Sequence, residues 1–164
     1  MAGILDLWKR SSALPQGRRV FSMAFSRKAP YFGSVHPLFI DLRPNYAELL
    51  IKKRRSVENH IGTVHAIALC NGLEAAMGAL AESSVPRDKR WIPKGMEVQY
   101  TAKADSDVRC IAETDPEQWD ADGELPVRVR GVRKDGTAVI EGVIRLWVTP
   151  KPARDDTTRS DSSS

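Results

Sequence analysis

Cysteine is scarce in this chain: two among 164 residues, Cys70 and Cys110, with no CxxC pair and no His/Cys cluster. That argues against a disulfide framework or a structural zinc site and favours a reducing compartment. Long apolar runs are missing too, since none approaches the ~20 residues a spanning helix needs. The opening MAGILDLWKRSS lacks the basic-then-apolar order and cleavage site of a secretory leader. A cytoplasmic protein without stable membrane insertion is expected. Aromatic residues reach only 7%, and 25 basic against 21 acidic side chains leave a net charge of only +4. A concentrated basic stripe with interleaved aromatics is absent, so no nucleic-acid partner is expected, although the surplus suits an anionic ligand.

What is present fits one globular domain, with 41% hydrophobic and 28% charged residues. Two short helices are expected at 3–13 and 17–28, joined at Leu14-Pro15. The second carries an apolar stripe of Val20, Phe21, Ala24 and Phe25 flanked by Arg18, Arg19, Arg27 and Lys28. It reads as a helix packed on a sheet edge or over a cavity. Extended runs at 35–43 and 46–55 flank Pro44-Asn45 as a hairpin, and the basic run Lys52 to Arg55 reads as a solvated strand end. An Ala/Gly/Leu-rich helix follows from about Thr63 to Ala81, then a loop at 83–89. Four further strands are expected at 90–103, 106–114, 124–134 and 137–148, the last two meeting at Lys134-Asp135-Gly136. The order divides into a helical extension (1–30), a main domain (31–149) and a polar, disordered tail (150–164). Segregated helices and strands predict an α+β fold, with one antiparallel sheet of about six strands. A central helix apolar on nearly every side must be enclosed, and a strongly curved sheet does that.

One carboxylate, Glu74, interrupts the apolar helix. At the helix start, Thr63 is the expected N-cap, following Gly62, which places His65 and Ala66 in the first turn. Backbone N–H groups there lack intrahelical acceptors and, with the helix dipole, suit an oxyanion. Asn59 stands just upstream. Glu74 lies nine residues beyond His65, roughly 13.5 Å along the axis and about half a turn round it. If both serve one site, they must come from different subunits, and a two-fold dimer with shared sites is the simplest geometry. Asn71, three residues before Glu74, is expected on its face, holding a water or steadying the carboxylate. Cys70 is expected as a small core residue. Equally plain readings remain open: His65 as a packed or capping histidine, and Glu74 as one half of an interface pair.

The stretch NHIGTVHAIALCNGLE, Asn59 to Glu74, resembles the signature of hotdog-fold acyl-CoA thioesterases of the phenylacetate-pathway type. It is closer still to a branch grouped as a domain of unknown function. The matching positions are Asn59, Gly62, Thr63, His65 and Glu74, and PKGMEVQYTAKADSD at 93–107 resembles the strand that follows the helix. The resemblance implies a hotdog fold, a homodimer that sometimes pairs into a tetramer, and sites at the dimer interface. Asn59 and His65 of one protomer would face Glu74 of the other, with the Ala66 N–H as oxyanion donor and Glu74 as general base or nucleophile. The family's His-Gly-Gly is here His65-Ala66-Ile67, which sets a branched side chain where room is usual.

The implied substrate is an acyl-CoA or acyl-carrier thioester, with coenzyme A as part of the substrate, no other cofactor and no metal. Gly62, Thr63 and Asn71 are candidate substrate contacts, and Arg54, Arg90 and Lys94 are candidate phosphate contacts. A non-catalytic module that binds acyl chains or acyl-CoA is the rival reading, followed by a dehydratase or isomerase of the same fold.

Overall fold

The computed structural model describes residues 3–152. Helices α1 (Ile4–Ser12) and α2 (Gly17–Lys28) lead through a 3-10 segment, Pro30–Val35, into strands β1 (Leu38–Arg43) and β2 (Tyr46–Ile51). A short 3-10 turn, Arg55–Val57, precedes the long helix α3 (Ala66–Ser84). Strands β3 (Lys89–Tyr100), β4 (Val108–Glu113), β5 (Gly123–Arg133) and β6 (Ala138–Pro150) complete the chain. The expected tail at 150–164 falls, from residue 153 on, outside the described residues.

All six strands form one antiparallel sheet in the order β1-β2-β4-β5-β6-β3. It curls round α3, which touches β1, β2, β4, β5 and β6. Leu69, Leu73, Met77 and Leu80 of the helix are buried against Leu49, Ile51, Val127 and Ile144 of the sheet. The helix's small residues have a packing reason. A Cβ at Gly72 would lie 2.3 Å from Ile51 Cδ1 and 2.8 Å from Cys110 Sγ, so only glycine lets α3 cross this closely. Cys110 is buried, and that burial pushes its thiol pKa up.

Turn chemistry sets the hairpins where the sequence placed them. Pro44-Asn45 joins the Arg43–Tyr46 pair, and Asn45 takes φ 65°, the left-handed position a type II turn requires. At the β5–β6 turn, Asp135 Oδ1 accepts from the Thr137 N–H at 2.9 Å.

Three expectations need correction. In the α2 stripe, Phe21 and Phe25 turn inward, Phe21 meeting Trp8 and Phe39 edge-on, while Val20 and Ala24 are exposed. The inner position falls to Ser22, whose Oγ accepts from the Phe39 N–H of β1 at 2.9 Å. Strand β2 stops at Ile51 rather than at 55, because the Lys53 N–H is taken by Asp107 Oδ1 at 2.8 Å as the chain turns away. Helix α3 begins at Ala66, so its N-cap is His65 and not Thr63.

The sheet face turned away from α3 carries ion pairs across neighbouring strands. They include Arg109–Glu48, Arg130–Glu113 and Arg145–Glu97. Burial, the Tyr46–Glu48 hydrogen bond and the Glu48 charge push Tyr46 up to about 12.

Candidate functional site at the start and flank of the central helix

The segment before α3 is a turn organised by one asparagine. Asn59 Oδ1 accepts from the N–H groups of Ile61 and Thr63, both at 3.1 Å, and its Nδ2 donates to Thr63 Oγ1 at 2.9 Å. Gly62 supplies the left-handed φ of 74° that lets the chain reverse. One Nδ2 hydrogen of Asn59 has no acceptor among the described residues. The His65 N–H donates to Val57 O at 2.7 Å, and the His65 Nδ1 accepts from the Ile67 N–H at 3.0 Å. That bond places the neutral ring's proton on Nε2. The N–H groups of Ala66 and Ala68 have no acceptor among the described residues, as the first turn of a helix dictates.

Glu74 sits elsewhere on the helix. Cys70 and Gly78 stand one turn before and after it, at i−4 and i+4, and so share its face. Cys70 Sγ lies 3.9 Å from Tyr100 Oη, and the Gly78 Cβ position lies 3.9 Å from the Trp91 ring. The 70-74-78 line therefore faces β3. Glu74 is half-buried there, with no hydrogen bond or ion pair among the described residues. Cys70, expected in the core, is half-buried beside the Tyr100 hydroxyl, and their contact raises the Tyr100 pKa.

Within the chain, then, the helix start gathers Asn59, Gly62, Thr63, His65 and Ala66, and Glu74 stands apart on the β3 side. Asn71 does not turn to Glu74. It is 7% exposed, and its Nδ2 donates to Tyr31 O and Ser34 Oγ, at 3.3 and 3.0 Å, in the 3-10 segment Pro30–Val35. Its Oδ1 is the one buried side-chain polar atom without a partner among the described residues. Leaving such an acceptor unmet costs about 1–3 kcal/mol. Asn71 lines a 220 Å³ cavity with Ser34, Tyr31, His65 and Ile67.

The three candidate cations separate. Arg54 donates to Ser56 Oγ at 2.7 Å and reaches Ser34 O, beside the helix start. Arg90 donates to Thr149 Oγ1 at 3.2 Å, and Lys94 lies 5.3 Å from the Trp147 ring centre, both on the β3–β6 ladder. The sequence reading missed Tyr31, Ser34, Trp91 and Tyr100. Their roles depend on contacts 13 to 40 residues away, for which no spacing signal exists. No group of three or more His, Cys, Asp or Glu placed to hold a metal occurs among the described residues, and no helix there is long and apolar enough to cross a membrane.

A curved six-stranded antiparallel sheet enclosing one long helix defines the hotdog fold, the fold of thioesterase-type proteins. Residues 17–148 match the model of the family described as Domain of unknown function (DUF4442), and the chain belongs to that family. A solved structural-genomics protein is 42% identical, with a TM-score of 0.81, over 90% of this chain and 99% of that one. A Pseudomonas aeruginosa protein of unknown function, called a probable thioesterase, is 22% identical with a TM-score of 0.72, over 84% and 97% of the two chains. A thioesterase family protein from Silicibacter pomeroyi is 17% identical with a TM-score of 0.65, over 84% and 100%. The comparison with curated proteins found no match.

Proposed function

We propose that the protein hydrolyses acyl thioesters as a homodimer paired along β3. One observation carries this reading: Glu74, a half-buried carboxylate with no partner among the described residues, faces a strand whose outer edge is free among them. Two-fold pairing across that edge would bring the helix start of one protomer towards Glu74 of the other. The fold shared with proteins called thioesterases supports the same chemistry.

In the proposed reaction the thioester carbonyl oxygen sits at the free N–H of Ala66, where the 19-residue helix adds its dipole. Glu74 of the partner protomer takes a proton from water, and the water oxygen attacks the carbonyl carbon. The C–S bond then breaks, and Glu74 gives the proton it took to the departing sulfur, which leaves as the thiol. Direct attack by the Glu74 carboxylate, with hydrolysis of the resulting anhydride, reaches the same products. His65 holds Ile67 in place and keeps the first turn open. Asn59 braces the turn and has one N–H left for water or substrate. The reading assigns the substrate as an acyl-CoA or acyl-carrier thioester and requires no other cofactor. It places the enzyme in the cytoplasm and allows two dimers to pair through the outer sheet faces.

Ile67 favours a second reading. Its branched side chain is 56% exposed and lines the 220 Å³ cavity with His65 near the helix start. Under that reading the dimer holds an acyl thioester without cleaving it. Free-thiol release from short, long and aryl acyl-CoAs, by wild type and Glu74→Gln, separates the two. Release that collapses in the variant supports hydrolysis by Glu74. Intact binding with no release identifies a binding module.

A further inference from the structure

The charge of this chain is unevenly spread. Residues 7–55 carry eleven Lys and Arg against two carboxylates, while residues 56–164 carry fourteen against eighteen. Both carboxylates of the basic part are already engaged, Asp41 with Arg43 and Glu48 with Arg109. Four of the remaining cations meet around a 710 Å³ cavity between α2, the 3-10 segment Pro30–Val35 and the turn after β2. Arg19, Arg27, Lys52 and Arg54 line it, together with His36 and the apolar side chain of Met23. No carboxylate is among its lining residues, and none of these four cations has an ion-pair partner among the described residues. Four like charges around one concavity repel one another unless an anion joins them.

The cavity also adjoins the candidate site. Ser34 stands between the two: its carbonyl accepts from Arg54, and its hydroxyl accepts from Asn71, which lines the 220 Å³ cavity at the helix start. The same wall holds the orphaned acceptor Asn71 Oδ1. A ligand that runs from the basic cavity to the Ala66 N–H would pass this wall.

We infer that the cavity built by α2 and the turn after β2 is a recognition site for the phosphate-rich, nucleotide end of a thioester substrate. The linking arm of that substrate crosses the Ser34–Asn71 wall. Arg19 and Arg27 pair with phosphate oxygens in the way guanidinium groups do, Lys52 and Arg54 add charge, and Met23 meets the apolar part of the ligand. Asn71 Oδ1 accepts from an amide N–H of the arm. A concave site with several cations suits a small polyanion better than the single phosphodiester and broad surface of a carrier protein. The inference deepens the thioesterase reading by naming the carrier and its site. On this assignment the N-terminal extension is part of substrate recognition.

The test is calorimetric binding of coenzyme A, 3′-dephospho-coenzyme A and pantetheine to the whole protein. Wild type, Arg19→Ala/Arg27→Ala and a control, Lys134→Ala at the β5–β6 turn, are compared. Expected is binding that weakens from coenzyme A to the dephospho form to pantetheine and falls with added salt. The double variant should weaken coenzyme A about tenfold or more, at the cost typical of a lost charge-assisted bond. It should also shrink the preference for the 3′-phosphate, which a mere loss of fold would not do. Arg19→Gln/Arg27→Gln replaces the alanine pair if that pair does not fold. Equal affinity of wild type and variant for coenzyme A, or of coenzyme A and pantetheine for wild type, overturns the proposal. So does arginine-dependent binding to a phosphopantetheinylated carrier protein or to phosphatidylglycerol vesicles that coenzyme A does not displace. Binding is read without turnover, so a chain that binds but never hydrolyses leaves this site standing and removes only the enzyme reading.

Discussion

The two edges of the sheet are built to opposite ends. At one edge, β1 is six residues long, carries a bulge between Phe39 and Asp41, and lies under α2, whose Ser22 takes up the Phe39 N–H. At the other, β3 runs for twelve residues, shifts register between Pro93 and Gly95, has no strand beyond it among the described residues, and leaves Ile92 55% and Tyr100 58% exposed. Both edge strands carry a register irregularity, so it is length and cover that separate them: a short, covered edge resists pairing, and a long, open one invites it. On the proposed reading the difference assigns each edge its own part in the function. The blocked edge frees α2 to line a basic cavity, and the open edge sets Glu74 beside the place a second copy would fill.

The sharpest way to break this comparison is Glu74→Gln. On the proposed mechanism turnover falls by about 10²–10⁴-fold, the range for a general base, while thermal unfolding stays unchanged. Equal thiol release by the two proteins would remove Glu74 from the chemistry. Next in size is the open edge itself. On the proposed pairing, in which each site needs both protomers, Ile92→Asp/Tyr100→Asp should give a monomer by light scattering and abolish most turnover. A dimer that persists would place the interface elsewhere.

Smaller effects probe what surrounds the helix and the closed edge. Gly72→Ala drives a methyl group into Ile51 and Cys110, which are both buried, and overpacking of this kind costs about 1–3 kcal/mol in urea unfolding. Ser22→Ala leaves the Phe39 N–H of β1 without its acceptor and should cost about 1 kcal/mol, with the oligomeric state unchanged. If Ser22→Ala instead promotes higher assembly, the closed edge depends on that one bond. The smallest effect is pH-dependent. Tyr46 is pushed up to about 12, so its contribution is complete below the ordinary value of 10 and is lost as pH rises through 12. Phenolate absorbance should show one tyrosine titrating late, and Glu48→Gln should bring it earlier.

Much of the fold was legible because its signals are local. Pro44-Asn45 and the Lys134-Asp135-Gly136 turn carry their conformations in their own residues, and the Ala/Gly/Leu composition of α3 announces an enclosed helix. Errors fell where a distant partner decides. Thr63 is a good N-cap by type, yet Asn59 claims its hydroxyl and its N–H, so the cap passes to His65. Val20 and Ala24 fit an apolar stripe, but the β1 edge needed a hydrogen-bond acceptor, which Ser22 supplies, and that rotated the helix. Asn71 lies close to Glu74 in sequence, and the 3-10 segment Pro30–Val35 draws its amide away.

The sequence by itself determined the element order, the antiparallel α+β class, the helix that must be wrapped and Glu74, the carboxylate in its apolar middle. These follow from periodicity, turn residues and helix geometry, which act over a few residues. Only the tertiary structure decided that Glu74 faces β3, that Arg19 and Arg27 meet Lys52 and Arg54 across one cavity, and that Ser34 links that cavity to Asn71. Such contacts join positions 13 to 37 residues apart, and their geometry exists only once the sheet has closed on the helix.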